Sequence, residues 1–127
     1  MIQKILLGYD GSEAAENACA FAQDLANKYQ AELHVLAVTR LPDFAEEVET
    51  EAVMENSRKH YRKLLKALKA KLDAASIKSQ LDVAVGHPAE QIVLYAEKHA
   101  IDHIIVGHRG HTLFERWLIG SVARQVI

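Results

Sequence analysis

The residues with the clearest chemical potential lie near the end of the chain. The segment Val106-Gly107-His108-Arg109-Gly110 is followed by nine residues and then by Gly120-Ser121. Glycines directly after a strand let the backbone approach a ligand closely, because no Cβ stands in the way. A Gly-Ser step that begins a helix offers free N–H groups, a hydroxyl and the positive end of the helix dipole. The spacing therefore indicates a loop that can hold a polyphosphate, although the glycines alone are equally compatible with two ordinary turns.

The charges at two candidate helix starts assign different roles to the two ends of such a site. The first helix begins with Ser12-Glu13-Ala14-Ala15-Glu16, which carries two carboxylates, whereas the last begins with Gly120-Ser121-Val122-Ala123-Arg124, which carries none. Carboxylates suit the helix dipole but repel phosphate, so we expect the polyphosphate at the last helix. The first loop, Asp10-Gly11-Ser12, would then serve the nucleoside, or a nucleotide-bound metal through Asp10.

Other side chains of the glycine-bearing loop are weaker candidates. Arg109 is always charged and donates several hydrogen bonds, which suits phosphate, although a solvated loop cation is the other interpretation. His108 and His111 are three residues apart and could bind a metal, but two histidines without a neighbouring carboxylate are a weak ligand set. The apolar residues of the loop are expected to pack it over the sheet rather than to stack on a base: Phe114, Trp117 and Leu118.

Strand and helix patterns alternate from the start of the chain. Four apolar runs have the length of buried strands: Ile2 to Tyr9, Ala31 to Thr39, Leu81 to Gly86 and Asp102 to Val106. Near-continuous apolar runs separated by helices are typical of a parallel sheet that is covered on both faces. The pattern therefore predicts an α/β fold with an open, doubly wound parallel sheet, formed by one domain over residues 1–127.

Three helical patterns connect these strands. Ser12 is the expected N-cap of the first helix, whose core stripe is Ala18, Phe21, Ala22, Leu25 and Ala26. A polar, acidic stretch from Pro42 through Glu55 precedes the second helix, whose apolar face is Tyr61, Leu64, Leu65, Leu68 and Leu72. Pro88 suits the first turn of the third helix, and Ile92, Val93, Tyr95 and Ala96 are expected to lie within that helix.

The strand order decides where a ligand can bind. Ligands of open α/β sheets lie at the carboxyl ends of the strands, where the strand order reverses. If the first three strands run outward in one direction and the fourth lies on the other side of the first, this switch point falls between strands one and four. The residues just past these strands are Asp10-Gly11-Ser12 and Gly107-His108-Arg109-Gly110. We therefore expect both loops to meet in one crevice, which the helix start at Gly120-Ser121 closes.

Composition argues against several classes of function. The formal net charge of −2 gives no overall attraction to nucleic acid, and the basic residues of the middle helix follow a run of acids, so that face is expected to be solvated. No apolar run reaches the roughly 20 residues that span a bilayer, and we expect no signal peptide, because the start of the sequence leads straight into a predicted strand. Cys19 is the only cysteine, so no internal disulfide can form and a reducing, cytoplasmic compartment is expected. Because Cys19 lies near the apolar stripe of the first helix, we expect its thiol to be buried and inert.

Four landmarks occur in a fixed order over essentially the whole chain. They are Ile5 to Ser12, the pair His34-Val35 in strand two, Gly86 to Ile92, and a G-x2-G-x9-G-[ST] pattern filled by Gly107, Gly110, Gly120 and Ser121. Together they resemble the ATP-binding branch of the universal stress protein family. By contrast, the chain has no G-x-x-x-x-G-K-[ST] segment, and its first strand–helix turn is not G-x-G-x-x-G, which argues against P-loop and dinucleotide sites.

This resemblance implies a five-stranded parallel sheet of order 3-2-1-4-5, with ATP in the switch-point crevice, with or without Mg²⁺ or Mn²⁺. It implies that Asp10 lies by the ribose or the metal, with Gly11 and Ser12 beside it, and that the backbone of Val35 faces adenine. The phosphates would be held by Gly107, Arg109, Gly110, Gly120, Ser121 and Val122.

The resemblance also implies a homodimer built largely on strand five. Only Val122 to Ile127 follow the last helix start, and a helix of that length is marginal. Strand five is therefore expected to be absent from this chain through truncation or missing residues, which leaves the usual dimer open for this chain.

The expected function is regulatory. Glu115 is the only carboxylate between Gly107 and Ser121, and the loop shows no evident general base or activated nucleophile. We therefore expect an ATP-binding protein with a role in stress responses and at most slow ATP hydrolysis, rather than a dedicated enzyme. Two alternatives stay open. One is a protein-interaction module of the same fold that binds no nucleotide. The other, less favoured, is an adenine-nucleotide-cleaving enzyme, whose usual Ser-Gly-Gly-rich loop or His-Ile-Gly-His segment this chain lacks.

Overall fold

Strands and helices alternate throughout the computed structural model, which describes residues 2–39 and 47–107. The strands are β1 (Lys4–Gly8), β2 (Glu32–Thr39), β3 (Ser79–Val85) and β4 (His103–Val106). The helices are α1 (Glu13–Tyr29), α2 (Glu47–Ala74) and α3 (Pro88–Lys98). None of the helices in these residues is long and apolar enough to cross a lipid bilayer.

The strands form one parallel sheet in the order β3-β2-β1-β4. Leu7 of β1 lies beside Val35 of β2 on one side and beside Ile105 of β4 on the other. The order therefore runs outward from β1 to β3 and then reverses to place β4 on the far side of β1. This confirms the predicted α/β fold and puts the switch point between β1 and β4.

Helices cover both faces of the sheet. Successive side chains of a strand point to opposite faces, so Ile5 and Leu7 join the core beneath α1 and α2, whereas Leu6 joins the core beneath α3. Leu6 and Leu7 are both fully buried. The sheet is thus the middle layer of a doubly wound fold, as its apolar strand sequences predict.

Helix α1 begins where the sequence predicts. The Ser12 side chain accepts a hydrogen bond from the Ala15 N–H at 3.1 Å, which satisfies one of the otherwise unpaired donors of the first turn. The helix ends at Tyr29, and its C-cap residue Gln30 has a φ of 53°, in the left-handed region. The cap fixes the direction in which the chain leaves β1.

Three local predictions differ from the structure. Phe21 is 38% exposed rather than part of the core, because the sheet-facing stripe of α1 is narrow and consists of Ala15, Ala18, Cys19, Ala22 and Ala26. Helix α2 already begins at Glu47, so the acidic stretch is helical over most of its length instead of preceding the helix. Strand β3 begins at Ser79, two residues earlier than the apolar run.

Candidate functional site

The carboxyl ends of β1 and β4 lie side by side at the switch point. Gly8 of β1 is in register with Val106 of β4. A Cβ on Gly8 would lie 2.9 Å from Val106 Cγ1 and 3.1 Å from Ile92 Cδ1. The backbone of β1 therefore runs close against its neighbours here, and the loops that follow β1 and β4 begin next to each other.

The loop after β1 is held in place by its own polar groups. Asp10 Oδ1 accepts a hydrogen bond from the Ser12 N–H at 2.9 Å, which makes an Asx turn. Gly11 has a φ of 80°, a conformation that side chains disfavour, and a Cβ there would lie 2.9 Å from Leu64 Cδ1 of α2. Asp10 is exposed, and Oδ2 has no hydrogen-bond partner among the described residues. One carboxylate oxygen thus shapes the loop, while the other is available to a ribose hydroxyl or a metal.

Carboxylates also mark the first turn of α1. Glu13 is exposed, and Glu16 accepts a hydrogen bond from the Tyr9 hydroxyl. Burial, reinforced by this hydrogen bond, raises the pKa of Tyr9. Tyr9 therefore stays protonated at neutral pH and is a poor nucleophile. Two acids in the first turn disfavour a phosphate at this helix end, in agreement with the charge argument from the sequence.

Gly107 joins the two loops. A Cβ at this position would lie 2.2 Å from the Ala14 carbonyl oxygen, 2.7 Å from the Ala14 carbonyl carbon and 3.1 Å from the Ala15 nitrogen. These are backbone atoms of the first turn of α1, which cannot move without displacing the helix. The chain leaving β4 is therefore seated directly on the helix that follows Asp10-Gly11-Ser12. The structure brings these two predicted segments together, and it gives Gly107 a packing role as well.

Val35 does not lie at this edge of the sheet. It is four residues before the end of β2 and is fully buried. The Leu33 N–H donates to the carbonyl of Lys78, just before β3, and the Thr39 carbonyl accepts from the N–H of Gly86, just after β3. The N–H and C=O groups of the odd-numbered residues of β2 therefore face β3. The backbone groups of Val35 are consequently used in the β2–β3 ladder. This geometry does not itself support the expected contact with adenine, which stays a prediction.

Val38 presents its peptide groups just beyond the end of the β1–β2 ladder. The β1–β2 ladder ends where the Tyr9 N–H donates to the Leu36 carbonyl at 3.0 Å. Val38 is the next residue of β2 whose peptide groups point to the β1 side, and β1 has already turned away into the Asp10 loop. Its N–H and C=O therefore face the crevice. In the sequence, a residue of β2 that can face the crevice would be found by its distance from the carboxyl end of β2, not by the His34-Val35 pair.

His34 is a structural residue in this fold. It is 2% exposed, its Nε2 lies 2.7 Å from Glu32 Oε1, and its Nδ1 lies 2.7 Å from the Tyr95 hydroxyl. The Tyr95 hydroxyl also lies 3.2 Å from Asp82 Oδ2. Burial lowers the pKa of His34, and the hydrogen bond and charge of Glu32 partly oppose that shift. This network sits beneath α3 near the start of β2, away from the switch point.

The remaining candidates divide into two groups. Cys19 is buried as expected, and desolvation raises the pKa of its thiol, which makes it unreactive. No group of three or more metal-ligating side chains occurs within residues 2–39 and 47–107. The other predicted site and loop residues lie outside the described residues: His108, Arg109, Gly110, His111, Phe114, Glu115, Trp117, Leu118, Gly120, Ser121 and Val122.

Comparison with known proteins identifies the family. The model described as "Universal stress protein family" matches residues 1–127. The chain belongs to the universal stress protein family. Universal stress protein MJ0531 of Methanocaldococcus jannaschii is 32% identical over 130 residues, which cover 100% of this chain and 76% of that protein. Universal stress protein MJ0577 of the same organism is 31% identical over 145 residues, covering 100% of this chain and 89% of that protein.

Solved structures of the family share the fold. The structure of MJ0577 superposes with a TM-score of 0.80 at 28% identity, over 99% of this chain and 88% of that one. An Arabidopsis thaliana family protein with AMP bound gives a TM-score of 0.61 at 18% identity, over 85% of this chain and 77% of that chain. A universal stress protein in complex with cAMP gives a TM-score of 0.63 at 18% identity, over 80% of this chain and 73% of that chain. At 18% identity these last two likenesses concern the fold alone.

Proposed function

We propose that this universal stress protein binds ATP in the crevice between β1 and β4 and acts as a regulatory protein. The observation that carries the proposal is the seating of Gly107 on the first turn of α1, with a Cβ position only 2.2 Å from the Ala14 carbonyl oxygen. This contact places the start of the glycine-bearing loop beside the Asp10 loop, at the point of an open α/β sheet where ligands bind.

The nucleoside end of the ligand is assigned to the described residues. The Val38 N–H and C=O face the crevice and offer the donor–acceptor pair that the edge of adenine requires. Asp10 keeps one exposed carboxylate oxygen for a ribose hydroxyl or for Mg²⁺ or Mn²⁺ on the nucleotide, since its other oxygen makes the turn with Ser12. Gly11 lets the backbone of this loop pass close to the ligand.

The phosphate end of the ligand is assigned to the segment that begins at Gly107. In this proposal the phosphates contact Gly107, Arg109, Gly110, Gly120, Ser121 and Val122. The glycine spacing and the absence of acids at the Gly120-Ser121 step support this assignment. Family proteins whose structures carry AMP and cAMP support an adenine nucleotide as the ligand.

The regulatory assignment rests on the chemistry near the crevice. Tyr9 is buried with a raised pKa, and its hydroxyl donates a hydrogen bond to Glu16, so Tyr9 is not placed to activate water. We propose at most slow hydrolysis of ATP, a cytoplasmic location and, when strand five is present, a homodimer. The alternatives are an interaction module that binds no nucleotide and, with less support, an enzyme that cleaves adenine nucleotides.

Isothermal titration calorimetry with ATP, with and without Mg²⁺, tests the proposal. Binding is expected below millimolar ATP, with GTP as the matched control for the base. A matched pair of variants addresses Asp10: Asp10→Asn retains the oxygen that accepts from Ser12 but removes the charge, whereas Asp10→Ala removes both. Asp10→Asn should lose the Mg²⁺-dependent part of the affinity while keeping its stability. No binding up to millimolar ATP overturns the proposal, and release of AMP well above a buffer blank favours the enzyme.

A further inference from the structure

The outer edge of β3 is an unpaired strand edge in the described part of the chain. β3 is the terminal strand of the sheet, and every one of its residues is at least partly exposed. Leu33 donates to Lys78, and Gly86 donates to Thr39, so the even-numbered peptide groups of this segment face β2. The N–H and C=O groups of Leu81 and Val83 therefore point outward. Such an edge is a template for pairing with another extended chain.

A row of basic side chains from α2 lies beside this edge. A groove of about 510 Å³ is lined on one side by Arg58, Arg62, Lys66 and Lys69 and on the other by residues 79–83 of β3. Arg58 and Arg62 both pair with the single carboxylate of Glu55, each at 3.7 Å. Lys66 has no ion pair among the described residues. The groove therefore carries an excess of positive charge.

Lys69 already hydrogen-bonds to the first residue of β3 at this edge. Its Nζ donates to the Ser79 carbonyl and to the Ser79 hydroxyl, both at 3.0 Å, and also pairs with Asp73 at 3.3 Å. The first outward carbonyl of β3 is thus already covered by a cation. From Leu81 onward, no side chain within residues 2–39 and 47–107 hydrogen-bonds to the outward peptide groups, which leaves a length of strand to which a short segment can pair.

We propose that the outer edge of β3 binds an extended acidic peptide segment of a partner protein by strand addition. Backbone hydrogen bonds to Leu81 and Val83 supply the pairing, and every second side chain of the added strand faces the cations of α2. The opposite face of that strand meets Asp82, where a carboxylate is repelled. The recognised sequence is therefore an acid at alternate positions with neutral residues between. This surface is separate from the nucleotide crevice and does not depend on it.

The test uses fluorescence anisotropy with a fluorescein-labelled peptide of alternating Glu and Thr, seven residues long. Two controls have the same composition: one collects its acids into a block, and the other carries N-methyl groups on the peptide nitrogens of one edge. We expect each control to bind at least tenfold more weakly, and a Lys–Thr peptide not to bind. Equal binding of the N-methylated or block peptide shows a purely electrostatic contact and overturns strand addition.

Variants of the protein locate the site. Arg62→Glu with Lys66→Glu should weaken the alternating peptide at least tenfold. Val83→Pro removes an outward N–H without touching the ladder to β2, a position where edge strands tolerate proline, and should weaken it similarly. If Val83→Pro does not fold, the double variant Arg62→Glu with Lys66→Glu alone tests the location of the site. Unchanged affinity in the folded charge variant, or displacement of the peptide by a single-stranded oligonucleotide of equal charge, overturns the proposal. ATP titration of the same variants should match the unmodified protein.

Discussion

Gly107→Ala is expected to be unusually costly for a one-methyl change. The added Cβ would lie 2.2 Å from the Ala14 carbonyl oxygen, well inside any real Cβ contact. The φ of Gly107 lies outside the left-handed region, so the cost comes from packing alone. Relief requires a shift of about 1 Å in the backbone of α1 or in the end of β4. We expect a loss of about 3 kcal/mol in the free energy of unfolding, at the upper end of overpacking effects.

Gly8→Ala is the matched control for this prediction. Its Cβ would lie 2.9 Å from Val106 Cγ1 and 3.1 Å from Ile92 Cδ1, which are side-chain atoms that can rotate away. A loss of about 1 kcal/mol is expected there, at the lower end of the same range. Urea unfolding followed by circular dichroism measures both variants. If Gly107→Ala costs no more than Gly8→Ala, Gly107 is not seated on α1 and the reasoning about the crevice is wrong.

Further variants test the phosphate loop, the N-cap of α1 and the buried histidine. Gly120→Val should leave the protein folded but lower its affinity for ATP at least tenfold, about 1.4 kcal/mol. Ser121→Ala should lower the binding free energy by about 0.5–1.5 kcal/mol. Calorimetry measures both affinities, and a lowered melting temperature with unchanged ATP affinity in Gly120→Val would assign Gly120 a purely structural role. Ser12→Ala removes the N-cap and should cost about 1 kcal/mol of stability in urea, with no loss contradicting the cap. The pKa of His34 is lowered by burial, so as pH falls below about 6.5 the unfolded chain gains a proton that the folded chain refuses. Stability should fall over that range, and less so in His34→Gln, as urea unfolding at several pH values measures. Equal slopes in the two proteins would contradict the burial effect.

The sequence was sufficient for the architecture because strand and helix patterns are local. Four apolar runs and their connecting helices predicted the parallel sheet, and the Ser12 cap lies where its residue type indicated. Phe21 was misplaced because helical periodicity marks a broad stripe, whereas close packing on the sheet admits the alanines at its centre. The length of α2 was underestimated because an acidic, polar segment gives no apolar periodicity to mark its start.

The site was predictable only in part. The convergence of Asp10-Gly11-Ser12 with Gly107 follows from strand order, and the structure brings these segments together. The structure gives Val35 no support as a ligand contact, because a dipeptide match carries no information about register. Which peptide groups of β2 face the crevice depends on the ladder to β1 and on where that ladder ends, and both are tertiary properties.

The most direct test of the nucleotide crevice is an ATP titration followed by amide chemical shifts of the isotope-labelled protein. ATP bound between β1 and β4 should give saturable shifts at Gly11, Val38 and Gly107, and little change at the buried Val35 and at Leu81 on the β3 edge. A control titration with GTP should give weaker shifts, because the base contacts differ. Shifts concentrated along β3, or none at millimolar ATP, would contradict the placement of the ligand between β1 and β4.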